Sequence, residues 1–369
     1  MVLLRRSHGG FMMEGSAIQE SNNTQLENPL ALDGIEFIEY ATPDPAALEQ
    51  VFFKLGFQKI GQHKRKNVTL YRQNMINFVI NNEPGTFAAK FAKNHGPSIC
   101  ATGFRVKSAQ RAFDLAVQRG ARPIESKNDG ASHSFPAIYG IGESAVYFVD
   151  RYRGPVHFDD DFRYLQSDLT PRGKGLTVID HLTNNVPKGE MQKWCDFYRQ
   201  IFNFHEVRKF DIKGEATGLT SKVMRSPCQK ITIPINEPTE GKSQIQEYLD
   251  EYHGSGIQHL ALTTGDILSS VRQLSATGVQ FLEAPPHTYY EAIPGRVPNV
   301  KEDLKQVEEA NVLIDGDNEG YLLQIFTKNL IGPIFFELIS RRNHTGFGEG
   351  NFQALFDAIE RDQKARGYL

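Results

Sequence analysis

From Ile35 onward the chain falls into a repeating order of apolar and polar positions. The run IEFIEYA alternates as a strand, Pro43-Asp44-Pro45 opens a helix over Ala46 to Leu55, and Gly56 closes it. Proline with an acidic residue in front and glycine behind suits the two ends of a helix. The first turn has no use for a proline N–H, and the residue after the last turn often needs a positive φ. Three strand-like runs follow, Phe57 to His63, Asn67 to Arg72 and Ile76 to Asn81, completing a β-α-β-β-β unit. A second unit begins after His95-Gly96-Pro97. SICATGFRV reads as a strand, Ala109 to Gln118 as a helix ended by Gly120, and strands continue to Asp150. The stretch Arg151 to Lys174, with Pro155, Asp159-Asp160-Asp161, Pro171 and Gly173, has the composition of a linker.

The pattern then recurs. Gly175-LTVIDHLTNNVP, with a helix over Glu190 to Phe202, matches Gly34-IEFIEYATPDP and its helix. GSGIQHLALTT, with a helix from Ile267 to Thr277 and then Gly278, matches GPSICATGFRV and its helix. Two matches in the same order imply duplication of a two-module unit. The expected fold is therefore α+β, with four βαβββ modules paired into two open-barrel domains, residues 29–155 and 175–369. A doubly wound βαβ fold is disfavoured, because three strands follow each helix and no glycine-rich phosphate loop follows a first strand.

Composition narrows the picture only a little. A chain of 369 residues with 40% hydrophobic and 23% charged positions suits a globular protein of about two domains. A net charge of −3 gives no reason to expect a nucleic acid or a membrane surface as partner. Cys100, Cys195 and Cys228 are far apart with no CxxC spacing, which fits a reducing cytoplasm and no disulfide framework. Residues 1–28 are polar, carry no long apolar run and read as a flexible extension.

The chemistry enters through one misfit. In Ile334-Phe335-Phe336-Glu337-Leu338-Ile339 both strand faces are apolar except at Glu337. An isolated carboxylate buried there would cost several kcal/mol or protonate. Glu337 therefore calls for a cation, either a basic side chain such as Arg341 or a metal. Overlaying the halves bears on the choice. By the repeat register His181 falls on Tyr40 and His259 on Ala101, so only the second half carries histidines there. Two imidazoles and one carboxylate from three strands are the facial triad of non-haem Fe(II) oxygenases, with Mn(II) possible and zinc less natural. Asp180 would point to the opposite strand face and is a poor ligand candidate. Phe335 shares the face of Glu337, while Gln324 and Phe326 share a face on the preceding strand. Ser221 and Asn236 are further polar positions on strands. GFGEGNF leads into an amphipathic helix from Phe352 to about Ala365, readable either as a lid or as a docked terminal helix.

The ordered motifs DHLTNNV, PINEP, SQIQEYL, GIQHLAL, GYLLQIFTKN, FFELISR and GFGEGNF together resemble the 4-hydroxyphenylpyruvate dioxygenase family of the vicinal oxygen chelate superfamily. The resemblance spans about Pro29 to Leu369 and is most specific from Gly175 onward. It implies one Fe(II) per chain held by His181, His259 and Glu337. It further implies substrate-contacting or orienting roles for Ser221, Asn236, Gln244, Gln258 and Gln324. Phe335 with Phe347 or Phe352 would sandwich the substrate ring, Phe326 would lie nearby, and Asn351 would join the substrate contacts. Gln258 needs a bulge to face the site beside His259. Arg341 is left as a surface or domain-contact residue.

The implied activity converts 4-hydroxyphenylpyruvate and O2 to homogentisate and CO2 in a cytoplasmic dimer or tetramer. The alternatives are 4-hydroxymandelate synthesis, extradiol catechol cleavage, or a non-enzymatic interaction protein on the same scaffold.

Overall fold

The computed structural model describes residues 26–125, 134–154, 158, 160–283 and 285–369. Residues 1–25 of the expected extension, and Pro155 and Asp159 of the expected linker, lie outside these. Among the described residues, nine strands form one sheet: β1 (Leu32–Ala41), β2 (Gln58–His63), β3 (Val68–Gln73), β4 (Ile76–Asn81), β5 (Ser98–Val106), β6 (Pro123–Ile124), β7 (Ala137–Tyr139), β8 (Ala145–Val149) and β9 (Phe162–Tyr164). Their order is β6-β7-β8-β5-β1-β4-β3-β2-β9. A second sheet holds β10 (Leu176–Asn185), β11 (His205–Lys213), β12 (Gly218–Arg225), β13 (Thr232–Pro238), β14 (Gly256–Thr264), β15 (Leu313–Gly316), β16 (Tyr321–Phe326) and β17 (Phe335–Arg342). Its order, β11-β12-β13-β10-β14-β17-β16-β15, repeats that of the first sheet with β9 removed.

Each module is a strand, a helix and three strands, as the apolar periodicity predicts. Helices Pro45–Lys54, Ala109–Gln118, Met191–Phe202 and Ile267–Ala276 follow β1, β5, β10 and β14. Three of these elements differ from the reading above. The stretch taken as linker contributes β9, which pairs with β2 and buries Phe162. Helix Phe87–His95, which the sequence reading did not assign, joins the two modules of the first sheet. The terminal helix starts earlier than its apolar stripe, at Glu349, so Asn351 lies in its first turn.

The duplication extends to the irregularities. Against β5, β1 shifts register between Leu32 and Ile35, between Ile35 and Phe37, and between Glu39 and Tyr40. Against β14, β10 shifts between Leu176 and Ile179, between Ile179 and His181, and between Thr183 and Asn184. These ladders make Phe37, not Tyr40 three residues on, the counterpart of His181, because no sequence signal fixes where the strands bulge. Ala101 is the counterpart of His259, since Ala101 pairs with Glu39 as His259 pairs with Thr183. Through the parallel pairs β5–β8 and β14–β17, Tyr147 is the counterpart of Glu337. In the first sheet the rings of Phe37 and Tyr147 lie 5.8 Å apart. A Cβ on Gly103, the residue between them, would come within 2.5 Å of the Phe37 ring. Hydrocarbon thus fills the space that polar side chains surround in the second sheet.

The halves share one core, in which Phe78 of β4 meets Phe336 of β17 at 6.2 Å. Gln73 fastens the connection between the sheets, accepting from Lys174 N at 2.6 Å and Leu176 N at 3.2 Å while donating to Leu55 O. The terminal helix docks through buried Glu360, which accepts from Glu215 N, Ala216 N, Thr217 N and Thr217 Oγ1 at the β11–β12 turn.

Candidate metal centre

Three strands of the second sheet set a small lattice. His181 on β10, Ala261 on β14 and Glu337 on β17 form one cross-strand row. Thr183, His259 and Phe335 form the adjacent row. Period-2 alternation points both rows to the same face. Ala261, in the middle, leaves room between the flanking His181 and Glu337. The three polar side chains are at most 3% exposed, and their ligand atoms all lie within 4.8 Å of one another. His181 Nε2 is 3.2 Å and His259 Nε2 3.6 Å from Glu337 Oε2.

Bulges aim the two rings. Asp180 is the extra residue opposite the Leu262–Ala261 step, and Gln258 the extra residue opposite the Thr183–Asn184 step. A bulge re-aims its side chains, so the residue before each histidine reaches that histidine's Nδ1. Asp180 Oδ1 lies 2.9 Å from His181 Nδ1, and Gln258 Oε1 lies 3.3 Å from His259 Nδ1. With each Nδ1–H given to an oxygen, both Nε2 atoms face Glu337. Gln258 thus lies at a bulge, as expected if it is to face the site beside His259. The strict alternation that sent Asp180 to the far face fails at that position for the same reason: it lies outside the ligand cluster but orients a member of it.

Arg341 is not a surface residue. Its Nε donates to Asp180 Oδ2 at 2.9 Å and its Nη2 to Asp180 Oδ1 at 2.8 Å. A further N–H reaches Gly346 O at 2.5 Å. Burial by itself would raise the Asp180 carboxyl, but Arg341 and then His181 outweigh it and hold the group well below the usual carboxylate range. Burial likewise pushes His181 down, yet Glu337 and Asp180 together lift it to about 9 in the metal-free protein. His259 is held well below its ordinary value, by burial first and by its neighbour His181 second.

The Glu337 carboxylate is tied to the terminal helix. Gln324 Nε2 donates to Glu337 Oε1 at 2.8 Å and to Phe347 O at 3.2 Å. Asn351 Nδ2 donates to Gln324 Oε1 at 2.8 Å, and Tyr289 Oη donates to Asn351 Oδ1 at 2.6 Å. Gly348, at φ +72°, leaves the space Gln324 occupies, since a Cβ there would come within 2.2 Å of Gln324 Oε1. Gln324 and Asn351 thus bond to protein groups.

The other expected residues separate into walls and polar linings. Phe335 stacks on His259 at 4.7 Å and 23°, and Phe347 meets His181 edge-on at 5.8 Å. Phe326 touches Phe335 at 6.3 Å, whereas Phe352 stacks on Phe210 of β11. Ser221 pairs across strands with Asn236, which pairs with Asn185. Asn236 Nδ2 donates to Asn185 Oδ1 at 3.2 Å. Ser221 Oγ, Asn236 Oδ1, Asn185 Nδ2 and Thr183 Oγ1 are buried and lack a hydrogen-bond partner among the described residues. A cavity of about 320 Å³, lined by Gln244, Tyr248, Gln258 and Phe335 and rimmed by charged residues including Arg366, adjoins His259 through Gln258 and Phe335. Sequence reading missed Asn185, Thr183, Tyr289 and the part played by Arg341. Counting in steps of two from His181 along β10 finds the first two; the others need the fold.

The donor set fits a cation. His259 Nε2 is a buried lone pair with no donor among the described residues, and it faces a carboxylate oxygen. Two acceptors turned on each other are repulsive until a positive ion lies between them. Two imidazoles and one carboxylate suit Fe(II) or Mn(II) and leave coordination positions for substrate.

Comparisons with known proteins bear on this arrangement. Residues 26–163 match the family described as hydroxyphenylpyruvate dioxygenase, N-terminal. Residues 178–309 match the glyoxalase/bleomycin resistance protein/dioxygenase superfamily. The chain is 48% identical over 350 residues to 4-hydroxyphenylpyruvate dioxygenase of Pseudomonas sp. (strain P.J. 874), covering 93% of this chain and 98% of that one. It is 49% identical over 348 residues to 4-hydroxyphenylpyruvate dioxygenase of Legionella pneumophila (strain Corby), covering 94% and 99%. Among solved structures, a variant of 4-hydroxymandelate synthase from Streptomyces coelicolor aligns with a TM-score of 0.78 at 27% identity, covering 90% of this chain and 99% of that one.

Proposed function

This chain belongs to the 4-hydroxyphenylpyruvate dioxygenase family, and we propose that it converts 4-hydroxyphenylpyruvate and O2 to homogentisate and CO2. The observation that carries the reading is the buried His181–His259–Glu337 cluster with its converging Nε2 and Oε2 atoms. We assign one Fe(II) per chain to it. Bound there, Fe(II) supplies positive charge for the 2-oxo acid and the unpaired electrons through which O2 reacts with a spin-paired substrate. The balance is simple: carbon 1 leaves as CO2, one oxygen atom ends in the new carboxylate, the other on the ring, and the side chain moves to the neighbouring ring carbon.

The chain's own residues bind, orient and exclude water. Asp180 and Gln258 fix the two imidazole rings, and Gln324 fixes the Glu337 carboxylate. Phe335 and Phe347 place hydrocarbon against both imidazoles, keeping water from reactive species. Gln244 and Gln258 line the cavity, and Ser221, Asn185 and Asn236 form a buried row of neutral donors and acceptors on neighbouring strands. None carries a charge, so they suit the phenol hydroxyl, which both donates and accepts, better than a carboxylate. The substrate's negative end is then left to the ion.

Aerobic turnover of 4-hydroxyphenylpyruvate with Fe(II), followed by product identification, tests the proposal. Homogentisate is the expected product. The structural likeness to 4-hydroxymandelate synthase makes 4-hydroxymandelate the outcome that would replace this reading, and no Fe(II)-dependent O2 uptake would remove it.

A further inference from the structure

The ring-positioning groups leave one buried polar side chain beside the metal ligands without an occupation. Thr183 lies on β10 two residues beyond His181, directly across from His259. It is fully buried, and its hydroxyl has no hydrogen-bond partner among the described residues. A buried hydroxyl in that state destabilises a protein, whereas valine has nearly the same shape and no polar atom to satisfy.

The first sheet supplies an internal control. Glu39 is the counterpart of Thr183, and Asn81 is the counterpart of Asn236. There Asn81 Nδ2 donates to Glu39 Oε1 at 2.7 Å, so the polar groups close on each other. In the second sheet Asn236 turns instead to Asn185, leaving Thr183 Oγ1 and Asn236 Oδ1 open. The polar pair is closed where hydrocarbon fills the face and open where the ligand cluster stands.

We infer that Thr183 is a further substrate-positioning residue, whose hydroxyl donates to an oxygen of the 2-oxo acid end of the substrate; this rests on the function proposed above. Position decides which end. In the row Thr183–His259–Phe335, Thr183 flanks a metal ligand on the side opposite the apolar Phe335. Asn185, Asn236 and Ser221 follow outward, Asn185 two residues further along β10 and the others on β13 and β12. Thr183 therefore meets the oxygens nearest the ion, and the outer group meets the phenol.

The experiment is anaerobic binding of 4-hydroxyphenylpyruvate and phenylpyruvate to the Fe(II)-loaded protein, by calorimetry, in wild type, Thr183→Val and Thr183→Ser. Melting of the metal-free proteins is measured alongside. A lost hydrogen bond to a charged group predicts binding weaker by roughly 10- to 100-fold for both ligands in Thr183→Val. Thr183→Ser should restore it, and the melting midpoint of Thr183→Val should be unchanged or higher. Undiminished binding in Thr183→Val overturns the inference. So does weakening confined to the hydroxylated ligand, which would move Thr183 to the phenol end. A lowered melting midpoint also overturns it, by making the hydroxyl structural. Failure of the wild type to bind either compound overturns the proposed function and this inference together, whereas wild-type binding that Thr183→Val retains overturns the inference alone.

Discussion

Asp180→Asn isolates what the bulge before His181 contributes. In the wild type one carboxylate accepts from Arg341 twice, at 2.9 and 2.8 Å, and lies 2.9 Å from His181 Nδ1. An amide offers one oxygen and one NH2 group, so at least one of these three N–H donors must face another donor. Two losses follow. Removing the partner that orients a metal-binding histidine typically weakens metal affinity 10- to 100-fold, about 1.4 to 2.7 kcal/mol. Arg341 also loses its charge-assisted bonds, worth about 1.5 to 3 kcal/mol. The upper figures for a broken buried pair do not apply, because the Arg341 side chain is 22% exposed and keeps the Gly346 carbonyl. Calorimetric titration of metal-free protein with Mn(II), which avoids oxidation during the measurement, reads the first loss. Urea unfolding of the metal-free protein reads the second. Mn(II) affinity within twofold of wild type would refute the claim that Asp180 holds the His181 ring for the ion, whatever happened to stability.

Other expectations use separate parts of the site. Glu337→Gln should abolish metal retention and turnover in a protein that still folds, since the bond from Gln324 can remain while the ionic attraction to His181 is lost; metal analysis with circular dichroism checks it, and retained activity contradicts it. In metal-free protein, His181 has its value raised to about 9 by Glu337 and Asp180 against burial. Its stabilisation is therefore complete below about pH 6.5 and lost as pH rises through 9, a change on the order of 3 kcal/mol. Melting of the metal-free protein should fall across that window, and a flat profile would remove the His181–Glu337 pairing. Asn351→Ala leaves Gln324 Oε1 without its donor, a loss of about 1 to 3 kcal/mol. Hydrogen exchange in Glu349–Ala365 should quicken, with the rest of the second sheet unchanged; equal protection throughout would show that the helix docks independently of Glu337.

Module order, duplication and the three residues of the buried His181–His259–Glu337 cluster are legible in the chain alone. Those features live in local periodicity, in glycine and proline punctuation, and in one carboxylate set among apolar strand positions. Glu337 was legible because burying a charge is costly wherever the chain goes, and His181 and His259 because one half had them and the other did not. The tertiary structure alone decided the register, since a bulge inserts a residue without any compositional mark. That is why His181 overlays Phe37 and not Tyr40, why Asp180 and Gln258 reach the histidines they precede, and why Phe37 and Tyr147 close the matching space in the first sheet. It also decided that Arg341 pairs with Asp180, some 160 residues earlier, and that Tyr289, Asn351 and Gln324 meet in one line ending at Glu337. Such contacts depend on where distant strands and the terminal helix are brought together, and alternation along a single strand carries no record of that.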